Sequence, residues 1–138
     1  MNRQDFQKLV QVRLDEAVVL FERGRFSGAY YLAGYAVECG LKASIAKKTR
    51  KHDFPPDRRT IEGAYTHDLD KLVKSAGLDP ELDREMKVNK ALGRHWAIVK
   101  DWSEQSRYEE KSRQETADLI DAISSSPHGV LEWIRQRW

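Results

Sequence analysis

Glu38 is the residue whose position most strongly suggests chemistry, because it lies within a stretch of small and aromatic residues, 28–48 (GAYYLAGYAVECGLKASIAKK). Burying a lone carboxylate is unfavourable unless a partner or a proton neutralises it. One candidate partner is Lys42 at i+4 on the same helix, in an exposed pair worth only a few tenths of a kcal/mol. The alternative is an internal anchor that holds Arg107, Tyr108 or another donor from outside its helix. We favour the anchor over direct chemistry, and it predicts that Glu38 is more buried than Lys42.

Two histidines and one arginine could carry out acid–base catalysis. Metal-independent cleavage of RNA needs a base that works near neutral pH and a cation that stabilises the developing negative charge. His67, His95 and Arg107 are therefore the catalytic candidates. His67 precedes Asp68 at a predicted helix start, and we favour a role in starting that helix. His95 has only apolar residues one turn further along its helix, so no carboxylate orients it from that side.

No other catalytic or metal-binding pattern stands out in the sequence. The four histidines fall in four separate segments, and Cys39 is the only cysteine, which argues against a Cys/His metal site and excludes an internal disulfide. The sequence also lacks a glycine-rich phosphate loop and a His-Glu-x-x-His motif. We therefore predict neither a metal nor a cofactor.

The elements that must position these residues are helices, because helical periodicity recurs in every long segment and strand signals are nearly absent. The pattern predicts four long helices and one short helix in an up-and-down bundle of the all-α class. The predicted helices span 3–22, 28–49, a short segment from a Thr66 cap to Gly77, 80–102, and a last helix that begins at Arg113, is interrupted at 124–129 and then resumes.

Length and composition predict one domain over residues 1–138, since 40% of the residues are apolar and 33% are charged. The mean hydropathy is −0.72, which disfavours a membrane span. The opening residues have no apolar core typical of a secretion signal. We therefore expect a cytoplasmic protein.

Two features of the predicted helices favour a homodimer formed through helices two and four. Glycines at 28, 34 and 40 mark places on helix two where another helix approaches closely. Helix four carries more large aromatic residues than a small bundle needs to bury. We expect these two surfaces to meet across a two-fold axis.

The segment 42–59 (KASIAKKTRKHDFPPDRR) is strongly basic, with seven lysines and arginines against two aspartates, a net charge of +5 in a chain of net +2. One interpretation is a solvated helix end, where cations are favourable. The other is a surface for nucleic-acid or nucleotide phosphates. The phosphate-binding candidates are Lys47, Lys48, Arg50, Lys51, Arg58 and Arg59.

Three short motifs occur in a distinctive order after the first amphipathic helix. AVECGLK (36–42) lies in the central helix, THDLDKL (66–72) opens the short helix, and SRYE (106–109) follows the aromatic helix. In this order and spacing they resemble the HEPN domain of prokaryotes and higher eukaryotes, over essentially the whole chain. The resemblance implies an up-and-down helical bundle that pairs into a homodimer.

The resemblance also implies two kinds of function. Many HEPN domains are metal-independent ribonucleases, often toxins or defence effectors, and many are encoded beside a small nucleotidyltransferase partner. The nuclease members carry an arginine followed, after four to six residues, by a histidine. No histidine here has an arginine at that spacing, and Arg107 is followed there by Ser112, Arg113 and Gln114.

We therefore favour a non-catalytic HEPN module that binds RNA or a nucleotide, with no membrane contact. Family resemblance adds homodimer formation and a nucleotidyltransferase-type partner in a toxin–antitoxin or defence setting. The alternative is a divergent ribonuclease that combines Arg107 with a histidine from elsewhere in the chain.

Overall fold

Helices form all the regular secondary structure of the computed structural model, which describes residues 1–51 and 58–138 and contains no strand within them. The predicted all-α class is confirmed. No helix among these residues is both long and apolar enough to cross a membrane. In chain order the elements are α1 (Arg3–Glu22), α2 (Phe26–Lys51), α3 (Arg58–Ala64), α4 (Leu69–Ser75), α5 (Asp79–Val88), α6 (Lys90–Val99), a 3-10 helix (Glu104–Tyr108), α7 (Arg113–Ser124) and α8 (Val130–Arg135).

The α2 helix is the centre of the fold, as its small and apolar residues predict. It packs along α1 and also contacts α4, α7, α8 and the 3-10 helix. Ala33, Ala36 and Val37 are fully buried, which lets the surrounding helices approach its backbone closely. Residues on α2 are therefore well placed to meet side chains from many parts of the chain.

The predicted count of four long helices and one short helix is wrong. Residues 80–102, predicted as one helix, form α5 and α6 with a break at Asn89. The backbone of Asn89 is extended and its side chain accepts a hydrogen bond from the Leu92 N–H, so it caps α6. Trp102 lies beyond the end of α6, in the turn before the 3-10 helix.

The short helix α4 is capped by Asp68, whereas Thr66 was the predicted cap. The Asp68 carboxylate accepts from the Lys71 N–H, at 3.1 Å. Thr66 instead accepts from the backbone N–H of Asp68, at 3.2 Å. The N-cap of α4 is therefore the residue directly after His67, and this fixes the position of the His67 imidazole relative to α4. The α3 helix was not predicted, because seven residues without an apolar periodicity give little signal.

The glycines of α2 do mark close approaches, but the approaching groups belong to the same chain. A Cβ atom at Gly34 would overlap the indole ring of Trp102, and one at Gly40 would lie 3.2 Å from Ile134. Trp96 and Trp102 are both buried. The aromatic residues that were predicted to form a dimer surface are therefore used inside the bundle, and they do not supply that surface.

Candidate functional site

Glu38 lies inside the bundle, with 1% of its surface exposed, and is more buried than Lys42, whose side chain is 18% exposed. Its Oε1 atom accepts hydrogen bonds from Lys42 Nζ and from His67 Nδ1, both at 2.8 Å. His67 is a donor from outside α2, as the anchor interpretation requires. The Oε2 atom is buried and has no hydrogen-bond partner among the described residues.

His67 joins α2 to the 3-10 helix. Its Nδ1 atom bonds Glu38, and its Nε2 atom lies 3.3 Å from the Glu104 carboxylate. A neutral imidazole carries only one N–H, so the ring can donate to both carboxylates only when both nitrogens are protonated. The cluster of Glu38, Lys42, His67 and Glu104 then carries equal numbers of positive and negative charges. We call these four residues the Glu38 cluster.

A cavity of about 460 Å³ opens beside His67 and is bounded by the end of α6 and the start of the 3-10 helix. Besides His67, the charged residues that line this cavity are three acidic residues and one lysine, namely Asp68, Lys100, Asp101 and Glu104. Negative charge in a confined cleft raises the energy of a second anion there. The open side of His67 therefore disfavours a phosphate group.

Arg107 does not hold Glu38, and the predicted pairing between them is wrong. The Arg107 guanidinium is exposed and lies over the Tyr108 ring, 4.9 Å from its centroid. Tyr108 is itself exposed and provides no anchor for Glu38. The reason is geometric: Lys42 and His67 already donate to Glu38, and Ser106 is the residue of the 3-10 helix that is buried.

His95 pairs with His128, outside the Glu38 cluster. Its Nδ1 atom is 2.8 Å from the backbone oxygen of His128, and Asn89 Nδ2 is 3.0 Å from His128 Nδ1. This pair connects α6 to the loop before α8. The described residues contain no group of three or more histidine, cysteine, aspartate or glutamate side chains that could hold a metal. The remaining histidine, His52, lies outside the described residues.

Lys47 and Lys48 lie at the C-terminal end of α2, where neither ammonium contacts a carboxylate of the described chain. Lys47 Nζ is 3.4 Å from the backbone oxygen of Arg137. Lys48 Nζ is 3.3 Å from the Ser75 oxygen and 3.5 Å from the Thr60 hydroxyl. These bonds are long, so both ammonium groups keep donors for a further acceptor.

Arg58 and Arg59 begin α3 and are both exposed. Arg58 pairs with Glu62 at 2.8 Å, which neutralises part of its charge, whereas Arg59 forms no ion pair with a described residue. The side chains of Arg50 and Lys51 lie outside the part of the chain that the structure describes.

A family model of the HEPN domain matches residues 11–137 of the 138-residue chain. The chain belongs to the HEPN family. The matched region includes the Glu38 cluster and the lysines at the end of α2. No curated protein and no solved structure matches the chain.

The Cys39 thiol of this HEPN domain is adjacent to Glu38 but is a poor nucleophile. Burial is the main cause that raises the pKa of Cys39 to about 11, and the negative charge of Glu38 raises it further. Burial likewise raises the pKa of Tyr35, which hydrogen-bonds Cys39. Both groups are neutral at physiological pH, so they act as packing residues beside the carboxylate.

Sequence reasoning missed two residues of this HEPN domain that the fold brings to the candidate sites. Glu104 meets His67 across 37 positions of sequence, and Arg137 meets Lys47 across 90 positions. Neither residue belongs to a local motif, so no spacing rule could have selected them. Glu104 follows the predicted end of the helix at residue 102, whereas Arg137 lies beside no predicted break.

Proposed function

We propose that this chain is a non-catalytic, homodimeric HEPN module that binds the phosphate groups of RNA or of a nucleotide through the basic end of α2. The observation that carries the proposal is the pair of ammonium groups at Lys47 and Lys48, which form no ion pair with a carboxylate of the described residues. Family membership supports a nucleotidyltransferase-type partner and a toxin–antitoxin or defence setting.

The electrostatics of the C-terminal end of α2 and of the cavity beside His67 support binding at the first site and not at the second. Lys47, Lys48 and Arg59 are cations without a described acidic partner. His67, in contrast, has Glu104 at its Nε2 atom and a cavity rich in carboxylates beside it. Because phosphate binding depends on basic groups, a polyanion is favoured at the first surface and disfavoured at the second.

The double variant Lys47→Gln, Arg59→Gln is expected to bind single-stranded RNA at least about tenfold more weakly than the unmodified chain. Each lost phosphate contact also lowers the slope of log affinity against log salt by about 0.7. Fluorescence anisotropy at several salt concentrations measures both quantities. Lys90→Gln, which removes an exposed lysine at the start of α6, is the matched control and should change little.

A divergent ribonuclease is the second candidate function, and one observation favours it. The buried Glu38 carboxylate holds His67 Nδ1, which is how many enzymes orient a catalytic histidine. Arg107 lies three residues after Glu104, on the same side of a 3-10 helix. Cleavage of the RNA in the presence of a chelator, lost in His67→Ala but retained in Lys90→Gln, would contradict the non-catalytic proposal and establish this one.

We place the homodimer surface on the exposed side of α1. Val12 and Val19, two turns apart on that helix, are 46% and 56% exposed, and Val18 beside them is also exposed. Asp15 and Glu16 lie between Val12 and Val19 on this side of the helix, so the exposed valines form small separate apolar patches, and a two-fold axis lets each patch cover one on the partner.

Light scattering at micromolar concentration is expected to give twice the 16.0 kDa mass of one chain. Val12→Asp combined with Val19→Asp should shift the protein to the monomer, since two carboxylates would then face each other across the axis. Val88→Asp, at an exposed position on α5, is the control and should leave the dimer intact. A 16.0 kDa mass for the unmodified chain would reject the dimer.

A further inference from the structure

The basic end of α2 forms one wall of a cavity of about 400 Å³ that the sequence did not reveal. Residues 76–78, in the turn between α4 and α5, form a second wall, and residues 136–137 after α8 form a third. Three separate parts of the chain thus line one open depression. We call it the Lys47 cavity, and its charged residues are Lys47, Lys48, Glu81 and Arg137.

The position of Arg137 in this cavity is fixed by three contacts. Its Nε atom bonds Glu81 at 2.8 Å, its Nη1 atom bonds the Trp133 oxygen at 2.9 Å, and its guanidinium lies 4.0 Å from the centroid of the Trp133 ring. An arginine held in this way presents its remaining donors in a fixed direction at little cost in conformational entropy. The Nη2 atom makes no hydrogen bond to a described residue.

The Lys47 cavity has a net charge of +2, because three cations and one carboxylate line it. Lys47 makes one long bond to a backbone oxygen, and the exposed side-chain amide of Gln136 lies at the rim. Lysine, arginine and amide groups, all hydrogen-bond donors, therefore line the same small space. This combination suits a compact, doubly charged oxyanion better than a single negative charge.

We infer that the Lys47 cavity binds a phosphate monoester, and, resting on the proposed RNA binding, that this monoester is the terminal phosphate of a strand. A monoester carries close to two negative charges at neutral pH, whereas an internal phosphodiester carries one. Only the end of a strand carries a monoester, so the charge of the cavity favours a strand end over an internal phosphate. The cavity thus selects the end of the strand, and the exposed cations of α3 contact its backbone.

The inference is tested with one short RNA sequence prepared with a 5′-phosphate, with a 3′-phosphate or with neither, and labelled at the opposite end. The preferred phosphorylated strand is expected to bind at least about tenfold more tightly than the unphosphorylated strand. Lys47→Gln and Arg137→Gln should each abolish most of that preference. Lys90→Gln should keep it, and thermal melting checks that each variant is folded.

Adenosine monophosphate, with adenosine as its control, identifies the source of the monoester. Competition by the nucleotide as strong as by the phosphorylated strand would assign the cavity to a free nucleotide and overturn the strand-end inference. Equal binding of all three RNAs would also overturn it while leaving the proposed RNA binding intact. Absence of binding by every RNA would reject both.

Discussion

Glu38→Ala is expected to lower the free energy of unfolding by about 2–3 kcal/mol. The substitution removes a fully buried carboxylate that accepts hydrogen bonds from Lys42 and His67. The largely buried ammonium of Lys42 then loses its only described charged partner, and the deleted methylene and carboxylate groups leave a cavity beside α2. The 3-10 helix also loses its connection to α2 through His67. Urea unfolding followed by circular dichroism measures the change.

Glu62→Ala is the matched control for this prediction. Glu62 also pairs with a cation one helical turn away, Arg58, but both side chains are largely exposed. An exposed pair of this kind contributes about 0.3–0.5 kcal/mol. If Glu38→Ala cost no more than Glu62→Ala, Glu38 would not anchor the bundle, and the apolar residues of α2 alone would hold the surrounding helices.

The location of Glu38 could be predicted from sequence, whereas its partners could not. A single carboxylate among alanine, valine, glycine and tyrosine residues indicates burial because burial is a property of the local pattern. The partner depends on which distant segment folds over that carboxylate. Arg107 was a reasonable candidate by charge, but His67 occupies the position because the cap at Asp68 fixes the start of α4 one residue later.

The long helices could be predicted because an apolar period that repeats over twenty residues is a stronger signal than the few residues that depart from it. The break at Asn89 was missed because apolar residues on both sides of it stay in nearly the same helical register. The helical pattern of the sequence therefore runs through Asn89, although the helical backbone is interrupted there. The Lys47 cavity was missed for a different reason. Its third wall comes from residues 136–137, and no property of segment 42–59 indicates that the chain end returns there.

Gly34→Ala is expected to lower the free energy of unfolding by about 3 kcal/mol, close to the upper end for overpacking of a core. The added methyl group would overlap the indole ring of Trp102, which is 2% exposed and stacks on Tyr31. A rigid ring that is buried and stacked on Tyr31 has little room to move, so α2 or the turn before the 3-10 helix must shift. The shift would also displace Glu104 from His67.

Gly93→Ala separates this steric effect from the ordinary effect of alanine in a helix. A Cβ atom at Gly93 would meet its nearest neighbour, the Met86 oxygen, at 3.6 Å, which is a normal contact. Relief of glycine's entropy cost should therefore stabilise the protein by about 0.5–1 kcal/mol. In the double variant Gly34→Ala, Trp102→Leu, the smaller side chain makes room for the methyl group, so its loss should be smaller than the sum of the two single losses. Additive losses would show that the overlap with Trp102 is not what makes alanine unfavourable at position 34.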